Sequence, residues 1–452
     1  MSPELKAAIA GGRAGQALAL IHSLPAAERE RFDIAAHEAD ILGRLGRHDE
    51  EIALLDRLIV REPGNASLRL GLMNALKTVG RTADAIASAR AALAINPGYG
   101  KAWWLLADLK TFAFSDYDLA AMQAALGRQS TAADRHNLHF ALGRAFEQRG
   151  DAASAFAHYA EGNALAAAGV PAGTASIAAR TDAAIAALTP AFFAERQGFG
   201  YDSDAPIFIV GLHRSGSTLI EQILAAHPEI EATSELTILG QLMREIAFDA
   251  SLAGATPMER LASIDADRAR SLGQEYLDRA ADYRTTRKAR FTDKMPANWA
   301  HVGLIQLILP NAIIIDARRH PMATGFSNFR QNYGAGAAWS FSLDGIGHYY
   351  ADYLRFMRHF DRVLPGKVHH AINERLIEDF EPEVRRLLDH AGVAFDPATL
   401  EFHRTARTVR SASAEQVRRP VNRDGVDQWR AFEPWLQPLK DALGPALEDW
   451  QE

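Results

Sequence analysis

Residues 206–228 read PIFIVGLHRSGSTLIEQILAAHP, and this stretch decides the class of fold. Pro206 to Gly211 is a short, apolar, β-branched run of the kind a strand buried on both faces of a parallel sheet needs. A loop of small residues follows, and from about Thr218 the apolar residues take helical spacing. Strand, tight loop and helix in that order present backbone N–H groups and the positive end of a helix to an anion. The spacing Gly211-x4-Gly216-Ser217-Thr218 is that of a P-loop with one change, because Ser217 stands where a nucleotide triphosphatase keeps lysine. That change speaks against a magnesium-triphosphate donor. The positive charge sits instead on Arg214, inside the loop, where a guanidinium grips phosphate or sulfate oxygens. Arg214 and the backbone of Ser215, Gly216, Ser217 and Thr218 are the expected anion ligands.

Downstream, EIEAT (229–233), NAIIIDARR (311–319) and VHHAINE (368–374) read as further strands with helical stretches between them. Strands separated by helices predict an α/β domain with a central parallel sheet covered on both faces. We place this domain over residues 205–452. Upstream the pattern changes. Gly12-Arg13, Gly46-Arg47 and Gly80-Arg81 recur at a spacing of 34, as do Pro63 and Pro97, and Ile52 and Ile86. Each period reads as helix, glycine turn, helix and proline stop, and Gly150-Asp151 sits in the turn of a late copy. This resembles the tetratricopeptide repeat, which predicts an all-α solenoid over residues 1–190. Its groove is a candidate site for a peptide or protein partner. Trp103 and Trp104 are expected in its core. Residues 191–204 are rich in Gly, Asp and aromatic residues and read as a linker.

The whole chain has 452 residues, 48% of them hydrophobic, and a formal charge of −7. It has ample core material, and nothing global recommends nucleic acid or an anionic membrane as partner. Any bound anion must meet a local basic pocket. Cysteine is absent, so thiolate metal sites, catalytic thiols and disulfides are excluded. The first residues make a poor signal peptide and no window is long enough for a membrane span, so a cytoplasmic protein is expected.

A second anion site is expected after the strand AIIIDA, in Arg318-Arg319-His320-Pro321 and the helix that follows. Arginine at a strand end, proline opening a helix and Ser327 two turns on converge on one anion. Arg330 lies on the same helix. Two anion-binding joints in this order resemble the sulfotransferases that use 3′-phosphoadenosine 5′-phosphosulfate (PAPS). Within them the chain is most similar to the tyrosylprotein-type group and its bacterial relatives carrying tetratricopeptide repeats. HRSGSTLIEQILAAHPEI resembles that group's phosphosulfate loop, usually PRSG[ST]T, with its Ala-His-Pro exit.

The resemblance implies that Arg319 and Ser327, eight residues apart, hold the nucleotide 3′-phosphate, with Arg330 contributing. It implies that Glu235, in ATSELTIL, is the base that takes the acceptor proton. Lys294, in FTDKMPAN, then stabilises the departing bridging oxygen. Asp293 is expected to pair with an arginine. The segment 411–432 resembles the family's STxQVxxPV…W stretch, which assigns Ser413 and Arg418 to the nucleotide. The chain departs from the family at His213 for proline, at Asn373-Glu374 for Tyr-Glu and at Gln428 for lysine. The implied reaction is sulfuryl transfer from PAPS to a hydroxyl-bearing acceptor, a peptide tyrosine, carbohydrate or small molecule, with no metal. His213 is a rival base. Rival classes are a P-loop kinase or triphosphatase, and a repeat adaptor with an inactive nucleotide-binding domain.

Overall fold

A computed structural model of the chain describes residues 1–127, 131–170, 177–248, 254–333, 337–404, 417 and 419–452. The chain divides into two compact units. The first is built on residues 1–170 and takes in residues 330–341. Its helices come in consecutive antiparallel pairs, among them Phe32–Arg44 with His48–Arg61, Ala66–Thr78 with Thr82–Ile95, and Ala132–Gln148 with Ala152–Ala167. The turn of each pair carries a glycine at positive φ, Gly46 (76°), Gly80 (82°) and Gly150 (75°). Gly46 and Gly80 belong to the 34-residue period, Gly150 to the late copy, and a side chain there would be strained. Trp103 and Trp104 are buried, and the Trp103 indole N–H donates to the Pro97 carbonyl at 3.0 Å. Residues 330–341 join this unit through polar contacts. Arg330 Nη1 lies 2.5 Å from Glu147, and Gln331 Nε2 donates to Asp108 Oδ1 at 3.2 Å.

The second unit holds a five-stranded sheet made of β1 (Pro206–Gly211), β2 (Ile230–Ala232), β3 (Arg290–Asp293), β4 (Ile313–Arg318) and β5 (Val368–Ile372). All neighbours run parallel, in the order β2-β3-β1-β4-β5. Every residue of β1 is buried, as its continuous apolar run predicts for a central parallel strand. Four strands lie where the sequence places them. The third strand in chain order, β3, was not expected, because Arg290, Thr292 and Asp293 disguise it as polar loop. Helices α1 (Ser217–Ala225), α2 (Pro321–Phe329) and α3 (Leu343–Val363) follow β1, β4 and α2 respectively. The helix Ile177–Ala187 packs on α3 within this unit, so the unit boundary falls after residue 170, whereas the sequence placed it at 190.

Sheet order fixes the site. The chain leaves β1 toward β2 and β3 on one side and returns to β4 and β5 on the other. The crevice at the carboxyl ends of strands on either side of such a reversal is where open α/β sheets bind ligands.

Candidate active site

The carboxyl ends of all five strands carry the residues of interest. Arg214 follows β1, Glu235 follows β2, Lys294 follows β3, Arg319 follows β4, and Asn373 and Glu374 follow β5. In sheet order this line reads Glu235, Lys294, the loop of Arg214, Arg319, Asn373.

The loop between β1 and α1 is held in an uncommon shape. Arg214 has φ 68° and Gly216 has φ 97°. A Cβ on Gly216 would lie 2.6 Å from Asn373 Oδ1, so glycine is needed there for both angle and space. Ser215 donates its hydroxyl to the Leu212 carbonyl at 2.7 Å. Ser217 and Thr218 are buried at the start of α1, where first-turn N–H groups have no partner inside the helix. Helix α2 staples the loop from the other side. Arg214 Nε donates to Ser327 Oγ at 3.1 Å, and Asn328 Nδ2 donates to the His213 carbonyl at 2.9 Å. Arg319 Nη1 donates to the Arg214 carbonyl at 3.1 Å, and its Nη2 donates to the Gly425 carbonyl. Arg214, Arg319 and Ser327 thus form one cluster around the loop.

Arg318 and Arg319 are adjacent and face opposite ways, as successive strand residues do. Arg318 is 1% exposed and donates to Asp316 and to the carbonyls of Trp450 and Glu452. It ties β4 to the core and leaves Arg319 as the guanidinium at the crevice. Of the other expected ligands, Arg330 turns its guanidinium to Glu147 in the first unit. Ser413 and Arg418 lie outside the described residues.

On the β2-β3 side, Lys294 Nζ meets Glu235 Oε1 at 2.5 Å. The lysine side chain is 2% exposed and the glutamate 39%, so a buried cation has one half-open carboxylate against it. Burying such a cation without a partner is costly. Glu235 therefore both compensates Lys294 and faces the opening. Burial lowers the His213 pKa, Glu235 pulls it up, and Lys294 and Arg214 reinforce the lowering, which keeps the imidazole neutral near pH 7.

Sequence reasoning missed the supports. Asp293 pairs with no arginine among the described residues. Its Oδ2 shares a hydrogen bond with the Tyr276 hydroxyl at 2.9 Å, and its Oδ1 accepts the Leu236 N–H at 3.3 Å. Burial pushes this carboxyl up to about 8. Glu221, on the buried side of α1, accepts the Ser234 N–H at 3.2 Å and the Thr292 hydroxyl at 3.3 Å. Glu374 accepts the His320 N–H at 3.1 Å, and burial raises its pKa. The His320 ring stacks on Trp429 at 5.8 Å. No sequence signal marks these acids, since an isolated Glu or Asp reads as surface charge. Among the described residues no three His, Asp or Glu side chains are grouped as metal ligands would be.

The geometry can be set beside known families. Residues 206–397 match the sulfotransferase family. The matched stretch contains all five strands and every expected site residue except Ser413 and Arg418. A bacterial transcriptional activator domain matches residues 7–95 of the helical unit. An uncharacterised protein of Aquifex aeolicus (strain VF5) is 28% identical over 418 residues, which is 89% of this chain and 54% of that protein. The chain spans about half the length of that relative. Among solved structures, the sulfotransferase domain of the Synechococcus PCC 7002 olefin synthase is similar at 22% identity. The match covers 52% of this chain and 90% of that one, with a TM-score of 0.37. A sulfotransferase from Mycobacterium tuberculosis H37Rv is similar at 15% identity over 68% of this chain and 98% of that one, with a TM-score of 0.31. MamA MSR-1 C2 is similar at 21% identity over 36% of this chain and 92% of that one, with a TM-score of 0.27. Among the described residues no helix is long and apolar enough to cross a membrane.

Proposed function

We propose that the second unit transfers a sulfuryl group from PAPS to an acceptor hydroxyl and releases adenosine 3′,5′-bisphosphate. One observation carries the reading. Along the carboxyl edge of the sheet a half-open carboxylate and a buried lysine stand over β2 and β3, and an Arg-Ser-Arg cluster stands over β1 and β4. The looped amides and the start of α1 lie between them. This suits an elongated donor with a reacting group at one end and a separate phosphate at the other.

The residues fit such a donor. Backbone amides of the loop and the start of α1 suit an anion, and the guanidinium of Arg214 adds bidentate donors. Arg319 and Ser327 suit the 3′-phosphate, and the stacked His320 and Trp429 lie beside Arg319. PAPS, when bound, supplies a sulfuryl group whose leaving oxygen is already phosphate-bound. Glu235 takes the acceptor's hydroxyl proton as that oxygen bonds to sulfur and the sulfur–oxygen bond to the phosphate breaks. Lys294 meets the negative charge that then develops on the phosphate oxygen. Freed from Glu235 by protonation of the carboxylate, the ammonium faces that oxygen alone. Arginine, lysine and oriented amides provide the positive field that a metal ion provides in kinases.

The helical unit is read as a tetratricopeptide-type scaffold. Its cleft of about 670 Å³, lined by Arg29, Arg57 and Arg61 beside Leu54 and Leu58, is where a polypeptide partner would sit. The test is transfer from ³⁵S-labelled PAPS, without added metal, to a panel of tyrosine peptides, phenols and oligosaccharides. Label in any acceptor, lost in Lys294→Ala, supports the reading. Hydrolysis of ATP with magnesium and no transfer of sulfur label overturns it in favour of a phosphoryl-transfer enzyme.

A further inference from the structure

Glu235 sits in a short segment whose backbone is gripped on both sides. Ser234, just before it, has φ 68°, a left-handed conformation that serine adopts only when its surroundings impose it. The surroundings are specific. The Ser234 N–H is accepted by Glu221 Oε1 at 3.2 Å, and the Ser234 carbonyl accepts the Lys294 N–H at 2.9 Å. Just after the base, the Leu236 N–H is accepted by Asp293 Oδ1 at 3.3 Å. One residue further back, Thr233 donates both its N–H and its hydroxyl to the Thr292 carbonyl, at 3.3 and 2.6 Å.

Both acids of this grip are buried. Glu221 is 1% exposed and Asp293 is 0% exposed. They come from different elements, α1 and the end of β3, yet they close on the two amides that flank one exposed carboxylate. Neither faces the crevice as a ligand. Acidic side chains placed in a core only for stability would be a poor choice, because burying a polar group is costly unless its hydrogen bonds are met. Their use here is directional. Each fixes one N–H, and the two together hold the backbone that carries Glu235, whose carboxylate lies against Lys294 Nζ.

We infer that the buried acids Glu221 and Asp293 form a clamp on the backbone of residues 234–236, which positions Glu235 against Lys294. This rests on the reading of Glu235 as the base. Glu221 is the more telling half, since it also joins the phosphate loop's own helix to the segment that carries the base. Its carboxylate registers donor site and base with one another: α1 starts at the anion-binding loop, and one turn further on Glu221 holds Ser234.

The experiment compares Glu221→Ala, Glu221→Gln and Glu235→Gln with wild type, all as full-length protein. The readouts are kcat and KM for PAPS, the pH profile of kcat, calorimetric affinity for adenosine 3′,5′-bisphosphate, and deuterium exchange of the peptide containing residues 233–236. Glu221→Ala is expected to lower kcat about 100-fold, the scale of a small misplacement of a reacting group. KM for PAPS and bisphosphate affinity should stay within about threefold, because the donor contacts are elsewhere. Exchange over 233–236 should rise, and the pH profile of kcat should depart from that of wild type. Glu221→Gln keeps an oxygen acceptor for the Ser234 N–H and is expected to recover most of the loss. Wild-type kcat, pH profile and exchange in Glu221→Ala would overturn the clamp. So would an equal loss of kcat and bisphosphate affinity, which marks general damage. A Glu235→Gln enzyme with the wild-type rate would instead overturn the base itself. The two failures are therefore distinct.

Discussion

Replacing Asp293 by asparagine should stabilise the protein, and more so as pH rises. The side chain is fully buried, bonded to the Tyr276 hydroxyl and the Leu236 N–H, with Glu221 near enough to raise its pKa further. Burial moves the carboxyl from 3.8 up to about 8. The folded chain therefore holds a proton at this site through neutrality while the unfolded chain releases it. Between those two values the folded state binds one proton more. Stability contributed by this group is complete below the unfolded value and is lost as pH rises through the folded one. The slope is about 1.4 kcal/mol per pH unit for one proton. Asparagine keeps the same shape, one acceptor for Leu236 and one donor for Tyr276, and does not titrate. Chemical denaturation of wild type and Asp293→Asn at several pH values measures the difference, in which all other titrating groups cancel. The advantage of the variant should grow by about 3 kcal/mol from about pH 5 to about pH 7. A difference that does not change with pH, or that favours wild type increasingly toward pH 7, would refute a neutral buried Asp293.

Lys294→Ala should lower kcat about 100- to 1,000-fold, the scale of removing one preorganised donor to a developing charge, in the sulfur-label assay. Gly216→Ala puts a Cβ 2.6 Å from Asn373 Oδ1 at a φ of 97°. It should cost roughly 1–3 kcal/mol in denaturant melts and weaken bisphosphate binding in calorimetry. In the helical unit, burial works against the Asp108 charge, but Lys77 and Lys110 outweigh it and hold the carboxyl at about 2. Asp108→Asn should therefore lose about 2–3 kcal/mol at neutral pH, a loss that shrinks as pH falls from about 4 through about 2, read by urea melts of the two proteins.

What the sequence showed and what it hid follow from one physical fact. Periodicity reports which face of an element is apolar. It made β1 and β4 plain, because Pro206 to Gly211 and Ile313 to Ile315 are apolar without a break. It made the glycine turns of the helical unit plain as well, because only a residue without a Cβ sits easily at those angles. It could not show β3, where Thr292 and Asp293 are 0% exposed and have partners distant in sequence. The same holds for Glu221, which accepts hydrogen bonds from residues 234 and 292 on other elements. Of the basic pair Arg318 and Arg319 the resemblance singled out only Arg319, and the strand's alternation sends Arg318 to Asp316. Arg330 shared a helix register with Ser327, yet its guanidinium is held by Glu147 of the helical unit. Spacing along one element places a side chain on a face. It does not say which other element meets that face.

The most direct test of the account is calorimetric titration of wild type, Arg214→Ala and Arg319→Ala with adenosine 3′,5′-bisphosphate in the absence of metal. The account predicts wild-type binding near 1 μM, about −8 kcal/mol, weakened about 10- to 100-fold in each variant by loss of charge-assisted hydrogen bonds. Folded wild-type protein that gives no heat with the bisphosphate, or variants that bind it as wild type does, would contradict it.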